Sequence, residues 1–481
     1  MITTQRIENF KDFVANIQAI DTFDKFKDVQ IKINKAGLFN TVGLLSKKEK
    51  NITIQVNNED LRSCVSTERI KDIEAEIEGS RFIIDSLFVN TNQVNGNSDG
   101  LFFSSECSVH LIRSYEFNTV SPSKFRCFIK TDLDNISTFH YQFETVTHQD
   151  CVSRYNFDCL RVNINSSYFD IVQLKLNDIG YFVIENSEDL DFETFNSYCF
   201  SIRQALGFIS SYMPGGEEYF FDADNNYFYS NYFRSSINSM YRPLNWNPHS
   251  ILHDKPSIAE KWVGKLNFIS LEVFSKLVVE IHKSKELSSS IILLLEASSI
   301  RSLLLIPSIF AVVIESLSKI ISLPEEGLDR PIKDEALAKK ILDKFTSELN
   351  TESSLIGAEG SLKVQRRIQE LNKPVNKKNL TNNEKLTQPF EQLGINLSID
   401  DINAIEHRND LLHGNILLSD GTERTESEMN NYMGYVSSKL YTLISGLILR
   451  HVGYRGYIIN HSKFYESACN IETSEDYYRL I

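Results

Sequence analysis

Residues 398–414 read Ser-Ile-Asp-Asp-Ile-Asn-Ala-Ile-Glu-His-Arg-Asn-Asp-Leu-Leu-His-Gly, a stretch with signals for both ends of a helix. Ser398 can cap the amino end, because its hydroxyl can accept a hydrogen bond from the Asp401 amide. The two aspartates of the first turn also favour the positive end of the helix dipole. Gly414 suits the left-handed position that follows many helices. We therefore predict a helix over about 399–413.

Around this stretch the pattern is helical from Leu266 almost to the end of the chain. Apolar residues recur there every three or four positions, which is the spacing of one helix face. The predicted helices cover about 269–283, 286–300, 306–322, 333–350, 361–371, 399–413 and 426–451. The segment 372–386, rich in Asn and Lys, is the predicted mobile loop. We predict an all-α domain over 266–455 and a C-terminal tail over 456–481.

The first half of the chain has a different rhythm, with short runs in which apolar and polar residues alternate. Such period-two runs, bounded by Asn, Asp, Gly and Ser, are typical of strands. They cover 29–33, 52–56, 81–89, 109–114, 125–130, 139–147, 160–164 and 180–184. A helix is predicted near 195–211, followed by a hairpin that pairs 219–221 with 227–229. The fold class is therefore α+β, with a β-rich N-terminal domain over 1–265, sandwich or barrel-like.

The charge of the chain limits its possible partners. A formal net charge of −14 and a pI near 5.3 argue against a surface built for indiscriminate nucleic-acid binding, which needs clustered Lys and Arg. Any RNA contact must therefore be local. The best basic patch comprises Lys363, Arg366, Arg367, Lys373, Lys377 and Lys378. A solvated helix face and loop explains the same patch equally well.

Metal sites, membrane spans and secretion signals have little support in the sequence. The seven cysteines include no C-x-x-C pair, and we predict reduced thiols. His148 and Cys151 lie close together without a second ligand pair, so zinc there is not expected. Residues 302–314 are apolar but shorter than the ~20 residues that cross a bilayer. The amino end does not resemble a secretory signal, so we expect a cytoplasmic protein without metal or cofactor.

The helix over 399–413 contains an arginine and a histidine five positions apart, Arg408 and His413. At about 100° per residue, Asn409 and Glu406 share one face with His413, whereas Arg408 lies about 140° around the helix. Asn409 can therefore orient His413. Arg408 and His413 do not form a compact pair on one face, so the arginine must reach round or a second copy of the chain must help.

Spacing alone does not single out this pair, because Arg242 with His249 and Arg455 with His461 have similar spacings. Only Arg408 has a polar neighbour, a capped helix and a following glycine. An arginine and a histidine near the end of a helix also complement the helix dipole, without any chemistry. The flanking sequence has to decide between these two readings.

Arg408-Asn409-x-x-x-His413 resembles the Arg-polar-x-x-x-His signature of the HEPN superfamily, the higher eukaryotes and prokaryotes nucleotide-binding domains. Residues 287–320 are similar to the first helices of the ApeA-like HEPN branch. Residues 201–208 and the following Gly-Gly turn are similar to the end of the β-rich domain that precedes HEPN in that branch. The resemblance covers about 200–455.

The resemblance implies an antiphage, abortive-infection type protein whose HEPN helical-bundle domain is a ribonuclease that needs no metal. In such a site His413 moves the proton of the ribose 2′-OH or of the leaving oxygen. Arg408 stabilises the charge that builds on the phosphoryl oxygens. HEPN domains of this type usually pair, so we expect a homodimer. Glu315 either lines the same cleft or faces solvent, and Glu406 either orients His413 or is simply exposed.

Two other functions remain open. The chain can be a non-catalytic HEPN adaptor that binds nucleotide or RNA, or a carbohydrate- or peptide-binding β-domain on a helical dimerisation scaffold. As a ribonuclease it would be silent until its N-terminal domain meets a phage-derived activator. It would cut RNA and not DNA, because DNA lacks the 2′-OH nucleophile. The sequence does not identify the RNA target or the trigger.

Overall fold

Six antiparallel strands close into a barrel at the amino end of the computed structural model. The strand order is β3-β2-β1-β4-β5-β6, and β3 pairs back to β6, with Ile54 opposite Cys107. The barrel strands are β1 (Val29–Lys35), β2 (Phe39–Lys48), β3 (Asn51–Val56), β4 (Ile73–Ile77), β5 (Ser80–Asn97) and β6 (Gly100–Ser114). Alternate residues such as Ile52 and Val56 are buried inside. The alternation in the sequence therefore arises because one face of each strand fills the barrel.

The structure describes most of the chain, with gaps between the described ranges. These ranges are 13–36, 38–56, 69–97, 100–131, 142–149, 156–176, 179–231, 234–300, 302–321, 328–329, 332–372, 375–376, 382–412 and 424–481. His413, Lys373, Lys377, Lys378 and Cys151 lie outside them, and so does the side chain of Asn409.

A second group of strands continues the same sheet beyond β6 in the order β14-β13-β7-β11-β10-β9-β8. The strands are β7 (Phe125–Thr131), β8 (Val146–Gln149), β9 (Asn156–Ile164), β10 (Ser167–Leu176), β11 (Ile179–Asn186), β13 (Glu218–Asp222) and β14 (Tyr227–Ser230); β12 (Tyr212–Met213) pairs apart from them with β15 (Ile237–Asn238). The predicted hairpin is confirmed, with Tyr219 opposite Tyr229.

Successive residues of β13 point to opposite faces of this sheet. Tyr219 and Phe221 join the core shared with the barrel, whereas Phe220 joins the core shared with the helices. Helix α1 (Phe13–Asp24), which the sequence patterns did not predict, packs its buried residues into the barrel-side core. The sheet is therefore covered on both faces.

The second half is helical, as predicted, and the α+β class is confirmed. The helices are α2 (Phe192–Ser210), α3 (Pro256–Glu260), α4 (Leu271–Lys283), α5 (Lys285–Ile300), α6 (Leu305–Ile321), α7 (Glu335–Thr351), α8 (Ser353–Ile356), α9 (Ala358–Glu370), α10 (Asn382–Gln392), α11 (Ile399–Glu406), α12 (Arg408–Leu412), α13 (Glu426–His451) and α14 (Glu466–Cys469). Helix α10 begins inside the stretch predicted to be a loop. Four more strands are short: β16 (Leu328–Asp329), β17 (Val375–Asn376), β18 (Tyr457–Ile459) and β19 (Tyr478–Leu480). Strand β19 pairs with β18.

The largest hydrophobic core is built from both halves of the chain. It contains residues of β7, β10 and β11 together with α2, α4, α5, α6 and α13. Ile458 and Ile481, from the segment predicted as a tail, belong to it as well. This shared core holds α2 between the sheet and the helices.

Across the described ranges, no helix combines the length and apolar composition that a membrane span requires.

Candidate functional site

The described residues of the stretch 398–414 form two consecutive helical segments rather than one, and those of the motif lie on the second. The predicted amino-terminal cap is confirmed as a capping box: the Ser398 hydroxyl accepts from the Asp401 amide at 3.2 Å, and the Asp401 carboxylate accepts from the Ser398 amide at 2.8 Å. Helix α11 ends at Glu406, and α12 begins two residues later. The predicted helix over 399–413 is thus interrupted at His407, although Leu411 still donates its amide to the His407 carbonyl at 2.9 Å.

Arg408 reaches across to α6. Its Nη2 donates to Glu315 Oε2 at 2.5 Å, while Lys319 contacts the other oxygen of Glu315 at 3.1 Å. The Arg408 side chain is 15% exposed and that of Glu315 is 32% exposed. The hydrogen bond from Arg408, followed by that from Lys319, holds the pKa of Glu315 below its ordinary value. Glu315 thus contacts the motif arginine and is also partly exposed to solvent.

The positions of His413 and of the Asn409 side chain lie outside the described part of the chain. The prediction that Asn409 orients His413 therefore stays a prediction. Glu406, expected on the same stripe, is exposed and accepts a hydrogen bond from the Asn383 amide at 3.1 Å.

A second titratable cluster follows directly from the break between α11 and α12, and sequence reasoning missed it. His407 Nε2 and the Tyr432 hydroxyl share a hydrogen bond of 2.9 Å, and His407 Nδ1 lies 3.9 Å from the Asp410 carboxylate. The Arg424 guanidinium covers the Tyr432 ring at 3.9 Å from its centre. This cluster faces α13, whereas Arg408 faces α6. The spacing of His407 and Asp410 by three residues on a helix was the available signal.

The amino end of α11 rests on a buried ion cluster. Lys439, whose side chain is 1% exposed, contacts Asp401 at 3.2 Å and Glu475 at 2.6 Å, and Arg479 contacts Asp401 at 2.8 Å. Burial alone would raise the pKa of Asp401, but the charges of Arg479 and Lys439 hold it below its ordinary value. The amino end of α11 is therefore anchored to α13 and to the segment around β19.

The described part of the basic patch lies on α9, which packs with α7 and α8. Lys363 pairs with Glu359 at 2.8 Å, and Arg367 lies 3.7 Å from Glu370. These ion pairs are solvent-exposed and lie within one helix. Such pairs are typical of a solvated helix face. Arg366 lies beside Lys363 and Arg367 on the same surface.

The histidines of the other two pairs, Arg242 with His249 and Arg455 with His461, make contacts of their own elsewhere in the fold. His461 packs edge-on against the stacked rings of Tyr241 and Tyr441, and its Nε2 is 2.8 Å from the carbonyl oxygen of Arg242. Burial lowers the pKa of His461 to about 4. His461 is therefore a neutral donor at physiological pH. His249 lies on the surface, 3.5 Å from Glu260.

An apolar surface borders the motif. Ser308 of α6 donates to the carbonyl of Leu411 at 3.4 Å, which brings the first turns of α6 against α12. Large apolar side chains exposed on and beside these turns are Ile300, Leu303, Leu304, Leu305, Val312 and Leu412. We call this set the apolar patch.

Within the described ranges, no group of three or more His, Cys, Asp or Glu side chains could hold a metal ion. The described cysteines are free, and four of the five are buried.

Comparisons with known proteins gave no match among protein-family models, curated proteins or solved structures.

Proposed function

We propose that this chain is a metal-independent endoribonuclease of HEPN type, acting in antiphage defence by abortive infection, with a β-rich half that controls the helical half. One observation carries the proposal: the Arg408 guanidinium of the motif is held by Glu315 of α6 at 2.5 Å. The resemblance of the motif and its flanking helices to the HEPN superfamily supplies the reaction class.

The proposed reaction is attack of a ribose 2′-OH on the adjacent phosphorus, with departure of the 5′-oxygen of the next nucleotide. The 2′-OH loses its proton to a base, the leaving oxygen gains a proton, and a cyclic phosphate results. His413 moves one of these protons, since an imidazole titrates near neutral pH. Arg408 binds the phosphoryl oxygens, whose negative charge increases in the transition state.

The contact with Glu315 is compatible with this role for Arg408. A guanidinium has five N–H donors in a planar fork, so it can bind a carboxylate and a phosphate together. The carboxylate fixes where the guanidinium points, and Lys319 offsets part of the negative charge that the phosphate would meet. Fixed donors at the site of charge development are the usual source of electrostatic catalysis.

We further propose that the functional unit is a homodimer, in which a second chain completes the site. The apolar patch lies beside α12, and exposed apolar patches of this kind often mark protein interfaces. A second copy placed on it would bring two motifs close together. Such pairing would also supply one histidine as base and another as acid.

The test is cleavage of a mixed cellular RNA pool by the purified protein, with and without EDTA. We expect Arg408→Ala and His413→Ala each to lower the rate by about 10²-fold or more, the usual effect of losing an oxyanion donor or an acid–base group. Matched controls are Arg455→Ala and His253→Ala, both exposed. EDTA and the controls should leave the rate unchanged, and single-stranded DNA should remain intact.

Equal cleavage by the parent protein and both motif variants would refute the nuclease proposal. If the parent binds RNA and never cuts it, even after infection of the host cell, the non-catalytic adaptor replaces the enzyme as the better explanation.

A further inference from the structure

The turn that leads into β13 ends in two adjacent acids, Glu217 just before the strand and Glu218 at its first residue, and they face different halves of the molecule. Glu217 lies on the barrel side, where Lys47 of β2 donates to it at 2.7 Å. Glu218 lies on the helical side, where it pairs with Arg203 of α2. Arg203 also donates through Nε to the Pro214 carbonyl at 2.8 Å. A shift of this turn therefore changes a contact in each half at once.

The barrel side of the turn is a compact cluster of alternating charges. Lys47 contacts Asp24, at the end of α1, at 2.6 Å, and Lys130 of β7 contacts both Asp24 and Glu217. The side chains of Lys47 and Glu217 are almost fully buried. Breaking one pair leaves a buried charge poorly compensated, which is costly, so the cluster has discrete arrangements rather than a continuum.

The turn itself has little room to adjust. A side chain at Gly215 would place its Cβ 2.4 Å from the carbonyl oxygen of Arg234. Gly216, at a φ of 127°, donates its amide to that same carbonyl at 3.1 Å. The turn is thus packed and hydrogen-bonded against the following segment, which limits the space in which it can move.

Beyond α2, separate polar contacts join α2 to α5 and α5 to α6, and the helix backbones connect one contact to the next. Gln204, next to Arg203, exchanges hydrogen bonds with Ser288 of α5 at 2.9 and 3.0 Å. Further along α5, Ser290 donates to Ser316 of α6 at 3.1 Å. Ser316 follows Glu315, the partner of Arg408.

We propose that these residues form a regulatory coupling between the barrel and the motif, in which a ligand or partner that disturbs the barrel-side cluster changes how Glu315 holds Arg408. We call the set the polar chain; it consists of Lys47, Glu217, Glu218, Arg203, Gln204, Ser288, Ser290, Ser316, Glu315 and Arg408. The regulatory meaning rests on the proposed nuclease function, but the coupling itself is a property of the free protein. Buried polar contacts between rigid helices can carry such coupling because each pairing is either made or broken.

The test is hydrogen exchange followed by mass spectrometry on the full-length protein. Lys47→Met breaks the barrel-side cluster; the matched control is Lys32→Met, which removes an exposed ion pair with Glu76 on the same barrel. We expect Lys47→Met to speed exchange over 399–412 by about fivefold or more, the lower end of usual coupling between sites. The control should leave that exchange unchanged.

A second pair of variants tests whether the effect of Lys47→Met on exchange over 399–412 depends on the contact between α2 and α5. Ser288→Ala removes the partner of Gln204, whereas Ser299→Ala removes a hydroxyl that donates within α5 itself. We expect the effect of Lys47→Met on 399–412 to shrink in the Ser288→Ala background and to persist in the Ser299→Ala background.

Equal acceleration over 399–412 and over β9 and β10, which lie off the polar chain, would mean general loosening and would overturn the coupling. Persistence of the full effect in Ser288→Ala would do the same. If Lys47→Met does not fold, Lys47→Arg keeps the charge, changes the geometry and is judged by the same comparisons. Coupled exchange in a protein that cuts no RNA would refute only the nuclease, and cleavage without coupled exchange would refute only the polar chain.

Discussion

At the scale of single residues, the contact that holds Arg408 comes from another helix and not from its own. On an ideal helix Arg408 lies about 140° from the direction of His413. The structure gives Arg408 a carboxylate from α6 instead, at 2.5 Å. In the proposed nuclease, this contact would make Glu315 a positioning residue for Arg408.

Glu315→Gln should therefore lower the cleavage rate roughly tenfold to hundredfold, because a misplaced guanidinium stabilises the phosphoryl oxygens poorly. The matched control is Glu272→Gln, which removes an exposed carboxylate that pairs with Lys276 within α4. Single-turnover cleavage rates at saturating RNA measure both variants. A rate for Glu315→Gln equal to that of Glu272→Gln would exclude the positioning role.

His461 gives a prediction for stability. Burial lowers its pKa to about 4, below the value of about 6.5 expected in the unfolded chain. As the pH falls below 6.5, the unfolded chain takes up a proton that the folded chain does not accept until about pH 4. The free energy of unfolding should therefore decrease from pH 7 to pH 5, by up to about 2 kcal/mol from this residue.

Urea unfolding at the two pH values measures this effect. His461→Gln should show a smaller decrease than the parent protein, while the exposed control His253→Gln should behave like the parent. The same pH dependence in all three proteins would show that His461 is not the group responsible.

At the scale of elements, α11, the helix directly before the motif, is fixed at its amino end. Ser398 caps α11 and also donates to Glu475 at 2.9 Å, so the cap and the buried ion cluster share a residue. Helix α13 has a capping box too, made by Thr425 and Glu428, but it stands in solvent.

These two caps allow a matched comparison. Ser398→Ala should lower the free energy of unfolding by about 1–2 kcal/mol, the upper part of the range for a lost cap, because Glu475 also loses a donor. Thr425→Ala should cost about 0.5–1 kcal/mol, as an exposed cap does. Chemical denaturation measures both values. A smaller loss for Ser398→Ala than for Thr425→Ala would mean that the link to Glu475 adds no stability.

At the scale of the whole molecule, the apolar patch gives the homodimer proposal its test. Leu304 is 54% exposed and contributes little to the core, so replacing it with a charged residue should not prevent folding. We expect Leu304→Asp to convert a dimer to a monomer and to abolish RNA cleavage. The control is Leu355→Asp, on α8 and also highly exposed, which should keep both the dimer and the activity.

Sedimentation velocity and cleavage assays on the same samples decide the outcome. A parent protein that is monomeric at every concentration and still cuts RNA would exclude the composite site. A dimeric Leu304→Asp variant would place the interface elsewhere on the surface.

The sequence by itself determined the features that depend on neighbouring residues. It predicted the cap at Ser398, the hairpin that pairs Tyr219 with Tyr229, most helices of the second half and the α+β class. Each of these follows from periodicity or from hydrogen bonds within a few residues, so the local sequence contains the necessary information. It missed α1, whose apolar face is clear only against the barrel and sheet that cover it.

Only the tertiary structure decided the contacts between distant parts of the chain. These are the closure of the barrel by β3 and β6, the burial of Lys439 with Asp401 and the pairing of Arg408 with Glu315, which are 93 positions apart. Helical and strand periods show which face of an element is apolar, but not which element will cover it. The partner of the motif arginine was therefore set by how α6 packs against α12, and not by any spacing in the sequence.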